Sequence, residues 1–423
     1  MTGRALLFLA AAARAGCRPA ADAPVVLQFW AMGREGEVVG PLVREFEREN
    51  PGVRVEVQQV PWSAAHEKLL TAYAGRSTPD VSQVGNTWIP EMAALGAVDT
   101  LDAFAAASPV VRRADFFPGT WDTNVVGGHL YGIPWYVDTR VLFYRRDLMA
   151  LAGYEAVPQT WAGWREAMLA VQRTGRARYG VLLPLNEPEP LTILALQQPG
   201  GLLRDGDRYG NFDSPGFRRA FAFYLSLYRD GLAPTVDQTQ VANVYQEFAR
   251  GTFAFYITGP WNLGEFRARL PDSLRSAWAT APMPGPAGPG ASTAGGSSLV
   301  VFNRSDHKPE ALALVEFLSR PAIQARFYAL TGDLPARPDA WATPGLADDP
   351  HAAAFREQLT RVVPAPAVPE QERIAQRIRE VAELAVRGRI TPDEAIATLD
   401  RDVDAMLDKR RWLLDRQAAL AAR

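Results

Sequence analysis

Residues 25–58 read VVLQFWAMGREGEVVGPLVREFERENPGVRVEVQ, and their spacing decides the fold class. The run 25–29 is almost continuously apolar, as a strand covered on both faces must be. Over 37–49, Val39, Leu42, Val43 and Phe46 recur at helical spacing, while Glu45, Arg48 and Glu49 fall on the other face. Asn50-Pro51-Gly52 stops that helix and turns the chain. Val53, Val55 and Val57 then alternate with Arg54, Glu56 and Gln58, which predicts a half-buried strand. Strand, helix and strand in this order make a β-α-β unit with a right-handed crossover. A helix over about 64–75, a short strand at Val81–Val84 and a helix from about Thr87 continue the alternation. The first hundred residues therefore predict an α/β arrangement on a parallel sheet.

Downstream the pattern changes. Residues 130–145 (LYGIPWYVDTRVLFYR) are aromatic-rich and strand-like, and helices are predicted at about 160–173, 214–230 and 240–250. Residues 252–258 (TFAFYIT) alternate like a strand and run into Gly259-Pro260-Trp261-Asn262. The segment 282–296 is rich in Pro, Gly and small residues and reads as a loop or inter-domain linker. A strand at Ser298–Phe302, a helix at 308–319 and a mostly helical tail from about 369 to 420 complete the chain. The return to an α/β pattern after 282–296 predicts lobes that are each built from separated segments and joined by more than one crossing.

Composition narrows the function. The chain has 423 residues, 48% hydrophobic and 22% charged, enough for two or three domains with large cores. Its 45 basic and 47 acidic residues give a net charge of -2, which argues against nucleic acid as a partner. The only cysteine is Cys17, so no intramolecular disulfide and no cysteine metal cage form, and the four histidines lack metal-ligand spacing. Lys68, Lys308 and Lys409 are the only lysines, and none sits in a phosphate-binding loop motif, which excludes a P-loop ATPase. No cofactor and no metal are expected. Arg4 followed by the apolar run Ala5–Ala13 and small residues predicts a secretory signal over residues 1–16, too short to span a bilayer.

Several phrases carry a resemblance: Glu45-Phe46-Glu47-Arg48-Glu49-Asn50-Pro51-Gly52-Val53, Thr78-Pro79-Asp80-Val81, Tyr131-Gly132-Ile133-Pro134, Gly259-Pro260-Trp261-Asn262 and Gly295-Gly296-Ser297-Ser298. Their order over about residues 25–345 resembles the extracellular solute-binding proteins that feed sugar ABC importers, whose relatives include maltose- and trehalose-binding proteins. The resemblance implies an α/β, two-lobed periplasmic-binding-protein-like fold with hinge strands, here followed by a helical C-terminal extension. Residues 24–137 plus 290–335 would form one lobe and 138–289 plus 336–423 the other. It implies a monomer that binds a sugar and hands it to ABC permease subunits in the cytoplasmic membrane, with ATP hydrolysed elsewhere and no enzyme activity of its own. Arg14-Ala15-Gly16-Cys17 resembles a bacterial lipobox, with Arg14 where an apolar residue is usual. Lipidation at Cys17 would tether the protein in the periplasm or cell envelope; an ordinary cleaved signal is the alternative.

A pyranose has apolar C–H faces that stack on aromatic rings and hydroxyls that need partners once desolvated. Its site should combine Trp or Tyr with Asp, Glu, Asn or Arg at the carboxyl ends of strands. Trp30 and Glu35 follow the first strand, Trp62 the second with His66 one helical turn on, and Asn86 and Trp88 the third. Trp30 and Trp88 are equally suited to the core, Trp62 and His66 to a helix start or the surface. Asn86 also reads as a helix cap, and the resemblance places it at a ligand-binding position. Alternation sends Tyr136 and Asp138 to one face, Tyr136 to stack and Asp138 to accept hydroxyls. Arg140 either holds Asp138 in a hinge ion pair or reaches the ligand. The resemblance assigns Trp261 to stacking, with Asn262 a cap or hydroxyl partner. Gly295 and Gly296 admit close backbone approach and can donate N–H groups, unless they are plain linker. Arg337, near a second return between lobes, completes the candidates. Several tryptophans from both lobes favour a disaccharide or other oligosaccharide, and one or two acids with one or two arginines suit a neutral polyol. The rivals are a glycoside hydrolase, for which no carboxylate pair is selected, a binder of another solute such as a glycerol phosphodiester, peptide or polyamine, and a sugar-sensing lipoprotein.

Overall fold

Ten strands frame the protein in the computed structural model, which describes residues 24–421; the signal at 1–16 and Cys17 lie outside them. In chain order these are β1 (Val25–Met32), β2 (Val53–Val60), β3 (Val81–Gly85), β4 (Ile133–Asp138), β5 (Val141–Arg145), β6 (Tyr179–Leu182), β7 (Phe253–Thr258), β8 (Trp278–Ala281), β9 (Gly295–Val301) and β10 (Leu334–Pro335). β1 and β2 pair in parallel from Val25 opposite Val53 to Met32 opposite Val60. Helices α1 (Gly33–Val38) and α2 (Gly40–Glu49) connect them. Leu42, Val43 and Phe46 of α2 are buried, as their spacing requires. Asn50 closes α2 by donating both its backbone N–H and its side-chain Nδ2 to the Phe46 carbonyl, each at 2.9 Å.

The first sheet runs β10-β4-β9-β3-β1-β2. Its first-hundred-residue strands are parallel, as expected, but β9 is antiparallel to both β3 and β4, and β10 is antiparallel to β4. The sheet is therefore mixed, because later segments return to complete it. The second sheet runs β8-β5-β7-β6, with β5 antiparallel to β7 and β8. β4 and β5 are consecutive in the chain yet belong to different sheets, so Thr139-Arg140 is a crossing. A second crossing leads from β8 to β9, and a third leaves β10. Ser292–Thr293 pairs in parallel with Val362–Val363, which ties the second and third together.

Two sequence expectations fail for physical reasons. β7 was expected to alternate, but all six of its residues are buried. Phe253 and Tyr256 enter one apolar cluster while Ala254, Phe255 and Ile257 enter another, so both faces of the strand are covered. Gly295 and Gly296 are not linker: they open β9, opposite Asp138 and Val137 of β4. A Cβ on Gly295 would lie 2.9 Å from the Asp138 carbonyl oxygen, and one on Gly296 2.4 Å from that of Tyr136. Gly296 also has φ +136. Glycine hid the strand from its hydrophobic pattern, and the closeness of β4 is the reason for glycine.

Helices α3 (Trp62–Ala74), α4 (Glu189–Leu196) and α5 (Trp261–Arg269) begin near strand ends. In the tail, α6 (Gln371–Val386) and α7 (Pro392–Met406) bury Ile374, Ile378, Val381, Ile396, Leu399 and Val403 in the cluster that holds Phe217, Phe221 and Tyr224. A Thr391–Glu394 capping box starts α7. Trp161 stacks on Phe223 at 4.8 Å between ring centroids, and Trp164 meets Phe255 edge-on at 5.9 Å, so both are packing residues.

Gly296→Ala is expected to cost about 2–3 kcal/mol in urea-induced unfolding, from backbone strain and from the displacement of β4. Stability within 0.5 kcal/mol of wild type, roughly the scatter of a neutral surface change, would show that this approach is not tight.

Candidate ligand-binding cleft

A cleft of about 730 Å³ opens where the crossings meet. Glu35 of α1, Trp62 at the start of α3 and Asn86, Thr87 and Trp88 after β3 form one wall. Glu189 and Thr192 of α4 with Trp261 and Glu265 of α5 form the opposite wall. Tyr136, Asp138, Arg140, Gly295, Gly296 and Asp333 lie between them, and Gln371, Glu372 and Ala375 of α6 reach in from the tail. The strand-end rule accounts for most of this: the first residues of α3 and α5 are both tryptophans that follow a strand and a proline.

Tyr136 and Asp138 are two residues apart on β4 and both line the cleft, as the pleat dictates. The Tyr136 hydroxyl donates to Glu35 Oε1 at 2.7 Å, and Gln83 Nε2 lies 3.3 Å from each of these oxygens. Gln83 Oε1 in turn accepts from the Met32 N–H at 2.7 Å. Burial, with Asp333 and Glu35 adding, holds the Tyr136 phenol well above its usual range, so it keeps its proton and donates. Arg140 Nη1 lies 2.5 Å from Asp138 Oδ1, and its guanidinium sits 4.4 Å over the Trp261 ring and 3.9 Å from Glu189. Burial lowers the Arg140 pKa, but Asp138 and then Glu189 outweigh it and leave it raised. The hinge ion pair thus exists, and the same arginine reaches a tryptophan and a carboxylate of the far wall.

Trp62 and Trp261 are 36% and 41% exposed, high for a tryptophan, and both face the cleft. Trp62 meets Trp88 edge-on at 5.7 Å, and the His66 ring lies 5.0 Å from that of Trp88. Asn86 lines the cleft but is not a helix cap; Gly85 holds that position. Asn86 Nδ2 instead donates to the Ala294 carbonyl at 3.0 Å, joining the first wall to the second crossing.

Four candidates lie off the main cleft. Trp30 is inside β1, which runs two residues beyond it, and its ring packs under Lys68 Nζ at 4.4 Å. His66 Nε2 pairs with Glu91 at 2.8 Å, behind Trp88. Asn262 is held by the Thr258 and Tyr245 hydroxyls at 2.6 and 2.9 Å, and faces a neighbouring chamber of about 300 Å³. Arg337 binds Asp339 and the Val110 carbonyl and is 5% exposed, a structural clamp. Gly295 and Gly296 line the cleft from within the strand ladder.

The sequence reading missed Arg34, Thr87, Glu189, Thr192, Glu265, Asp333 and Glu372. Glu189 follows β6 and Asp333 stands four residues before Arg337, so the strand-end argument reached their neighbourhoods. Glu372 lies on the polar side of a tail helix and gave no signal. The expected balance of one or two acids is corrected: six carboxylates (Glu35, Asp138, Glu189, Glu265, Asp333, Glu372) face two guanidiniums (Arg34, Arg140). The neighbouring chamber shares Arg140, Glu189 and Trp261 and adds Glu187, whose carboxyl is pushed up to about 7 by burial and then by Glu189. A separate hollow of about 280 Å³ beside Phe117, Trp341 and Arg356 contains no carboxylate and none of the candidates. Among the described residues, no three His, Cys, Asp or Glu side chains are placed to hold a metal ion.

Comparison with known proteins bears on the family and the fold. The family described as bacterial extracellular solute-binding protein matches residues 33–325. The solved structure of the sugar-binding protein MalE from the phytopathogen Xanthomonas citri is 52% identical, with a TM-score of 0.89 over 92% of this chain and 99% of that one. An ABC transporter solute-binding protein from Thermotoga lettingae, bound with alpha-D-tagatose, is 26% identical with a TM-score of 0.78 over 90% of this chain and all of that one. A putative binding protein of Brucella abortus is 26% identical over 412 residues, 97% of this chain and 98% of the relative.

Replacing Arg140 by Met would leave the Asp138 carboxylate without its cation at the crossing. The expected cost is about 2–3 kcal/mol in chemical unfolding, since removing one partner strands the other. A variant as stable as wild type would show that water already solvates Asp138.

Proposed function

The chain belongs to the bacterial extracellular solute-binding protein family, and from that membership we propose that its cleft captures a carbohydrate outside the cytoplasmic membrane for delivery to an ABC importer. The observation that carries this reading is the pair of exposed tryptophans, Trp62 and Trp261, presented from opposite walls onto one polar cleft. Each offers a flat apolar surface to a pyranose face, while Asp138, Asn86 and Glu189 offer partners to its hydroxyls. The adjoining chamber, which shares the Trp261 wall, gives room for a second ring, so the ligand is a disaccharide or other oligosaccharide. The likeness to a sugar-binding protein at 52% identity supports the same class.

On this proposal residues 24–137 plus 290–335 and 138–289 plus 336–423 move as two lobes about the crossings. A ligand that touches both walls favours the closed arrangement, and the permease reads that arrangement. The protein works as a monomer that does no chemistry on its ligand. Among the described residues no helix is long and apolar enough to cross a membrane; the lipobox-like segment ending at Cys17 would supply the tether. Binding of a phosphodiester is less well supported, because Glu35, Asp138, Glu189, Glu265 and Glu372 outnumber the two arginines of the cleft and oppose an anion.

A sugar that binds should raise the melting temperature of the wild-type protein. Trp261→Ala should then weaken that sugar about tenfold in titration calorimetry, through lost stacking. Unchanged affinity would remove Trp261 from the site.

A further inference from the structure

One buried carboxyl group in the cleft has no cationic partner among the described residues. Asp333 is 8% exposed and lines the main cleft. It stands just before β10, and the pairing of Leu334 with Val137 and Pro335 with Tyr136 sets it beside Asp138 on the adjacent strand. The Thr331 hydroxyl accepts the Asp333 backbone N–H at 3.0 Å, shares its proton with the Phe327 carbonyl at 2.9 Å, and is the only side chain among the described residues that hydrogen-bonds the Asp333 carboxyl. The other groups facing Asp333 are Glu35 from α1 and Tyr136 and Asp138 from β4. The Tyr136 proton goes to Glu35, and Arg140 is taken by Asp138. Thr331 is thus the one neighbour that offers the Asp333 carboxyl a hydrogen bond, and most of the acceptor capacity of the group is left unfilled by these neighbours.

We propose that Asp333 is a ligand-contacting residue of the cleft, completed by a hydroxyl of the bound carbohydrate. The inference rests on the carbohydrate reading above and deepens it. Burial, and then the charge of Glu35, push the Asp333 carboxyl from its ordinary 3.8 up to about 8, against a hydrogen bond from Thr331 that lowers it and with Asp138 adding to the rise. Near neutral pH the group is therefore an un-ionised acid, with one donor and acceptor capacity, the same complement as a sugar hydroxyl. The two can exchange hydrogen bonds without burying a net charge. Affinity for a neutral sugar is then level below about pH 8 and falls above it, by up to about tenfold per pH unit, because the proton must be regained on binding. A ligand carrying an ammonium group gives the opposite sign.

A melting-temperature screen of the wild-type protein with maltose, trehalose, cellobiose and the common monosaccharides identifies a binding sugar. If none shifts the transition, the carbohydrate reading fails and this inference falls with it. With a binding sugar in hand, calorimetry from about pH 6 to 9.5 compares wild type, Asp333→Ala and Asp333→Asn. The alanine variant should bind about tenfold or more weakly. The asparagine variant, which keeps a donor and an acceptor, should stay within a few-fold and lose the pH dependence above 8. If Asp333→Ala does not fold, the flat pH profile of Asp333→Asn against the sloping wild type carries the test. Alanine-variant affinity within about twofold of wild type, or a wild-type affinity that is flat or rises with pH, overturns the assignment.

Discussion

The Asp138–Arg140 ion pair sits at the first crossing between the two sheets, and the rest of the site is organised around it. β4 ends at Asp138 and β5 begins at Val141, so two residues, Thr139 and Arg140, carry the chain from one sheet to the other. A charge left alone at such a partly buried position is destabilising, and Arg140 compensates that of Asp138. The same guanidinium lies over Trp261 and near Glu189, both on the far wall. One side chain thus couples the crossing to the surface that a ligand would touch.

Behind that pair, the glycines of β9 let the second crossing approach β4 closely, and Asn86 ties the first wall to Ala294. Tyr136, Glu35 and Gln83 form a buried hydrogen-bonded set that fixes the end of β1 against β4. Rigidity here is useful for a cleft that must present its polar groups at fixed spacing, since ordering them only on binding would weaken the complex.

The fold class was legible because its opening unit follows simple periodicities: Leu42, Val43 and Phe46 on one helix face, Val53, Val55 and Val57 on one strand face. What periodicity cannot see is coverage of a second face, and so β7 was misread as alternating. It also cannot see a strand that begins in glycine, and so the segment 282–296 was read as loop or linker to its end. For the cleft, the strand-end rule located Trp62, Asn86, Trp88 and Trp261, and alternation put Tyr136 and Asp138 together. It placed Trp30 wrongly because β1 extends to Met32, and Arg337 wrongly because Asp339, Asp115 and the Val110 carbonyl neutralise and hold it. Glu189, Glu265 and Glu372 come from three separate helices, and their convergence is a tertiary property with no local signature. The acidity of the cleft was invisible for the same reason: a net charge of -2 for the whole chain says nothing of six carboxylates in one place.

Everything proposed for the cleft depends on one ligand touching both walls at once and holding them together. Small-angle X-ray scattering of the protein with and without a saturating sugar that raises its melting temperature tests this most directly. The expected result is a smaller radius of gyration and a shorter maximum dimension in the presence of the sugar. Superimposable curves with the sugar fully bound would contradict it, and would mean that the ligand rests on one wall alone.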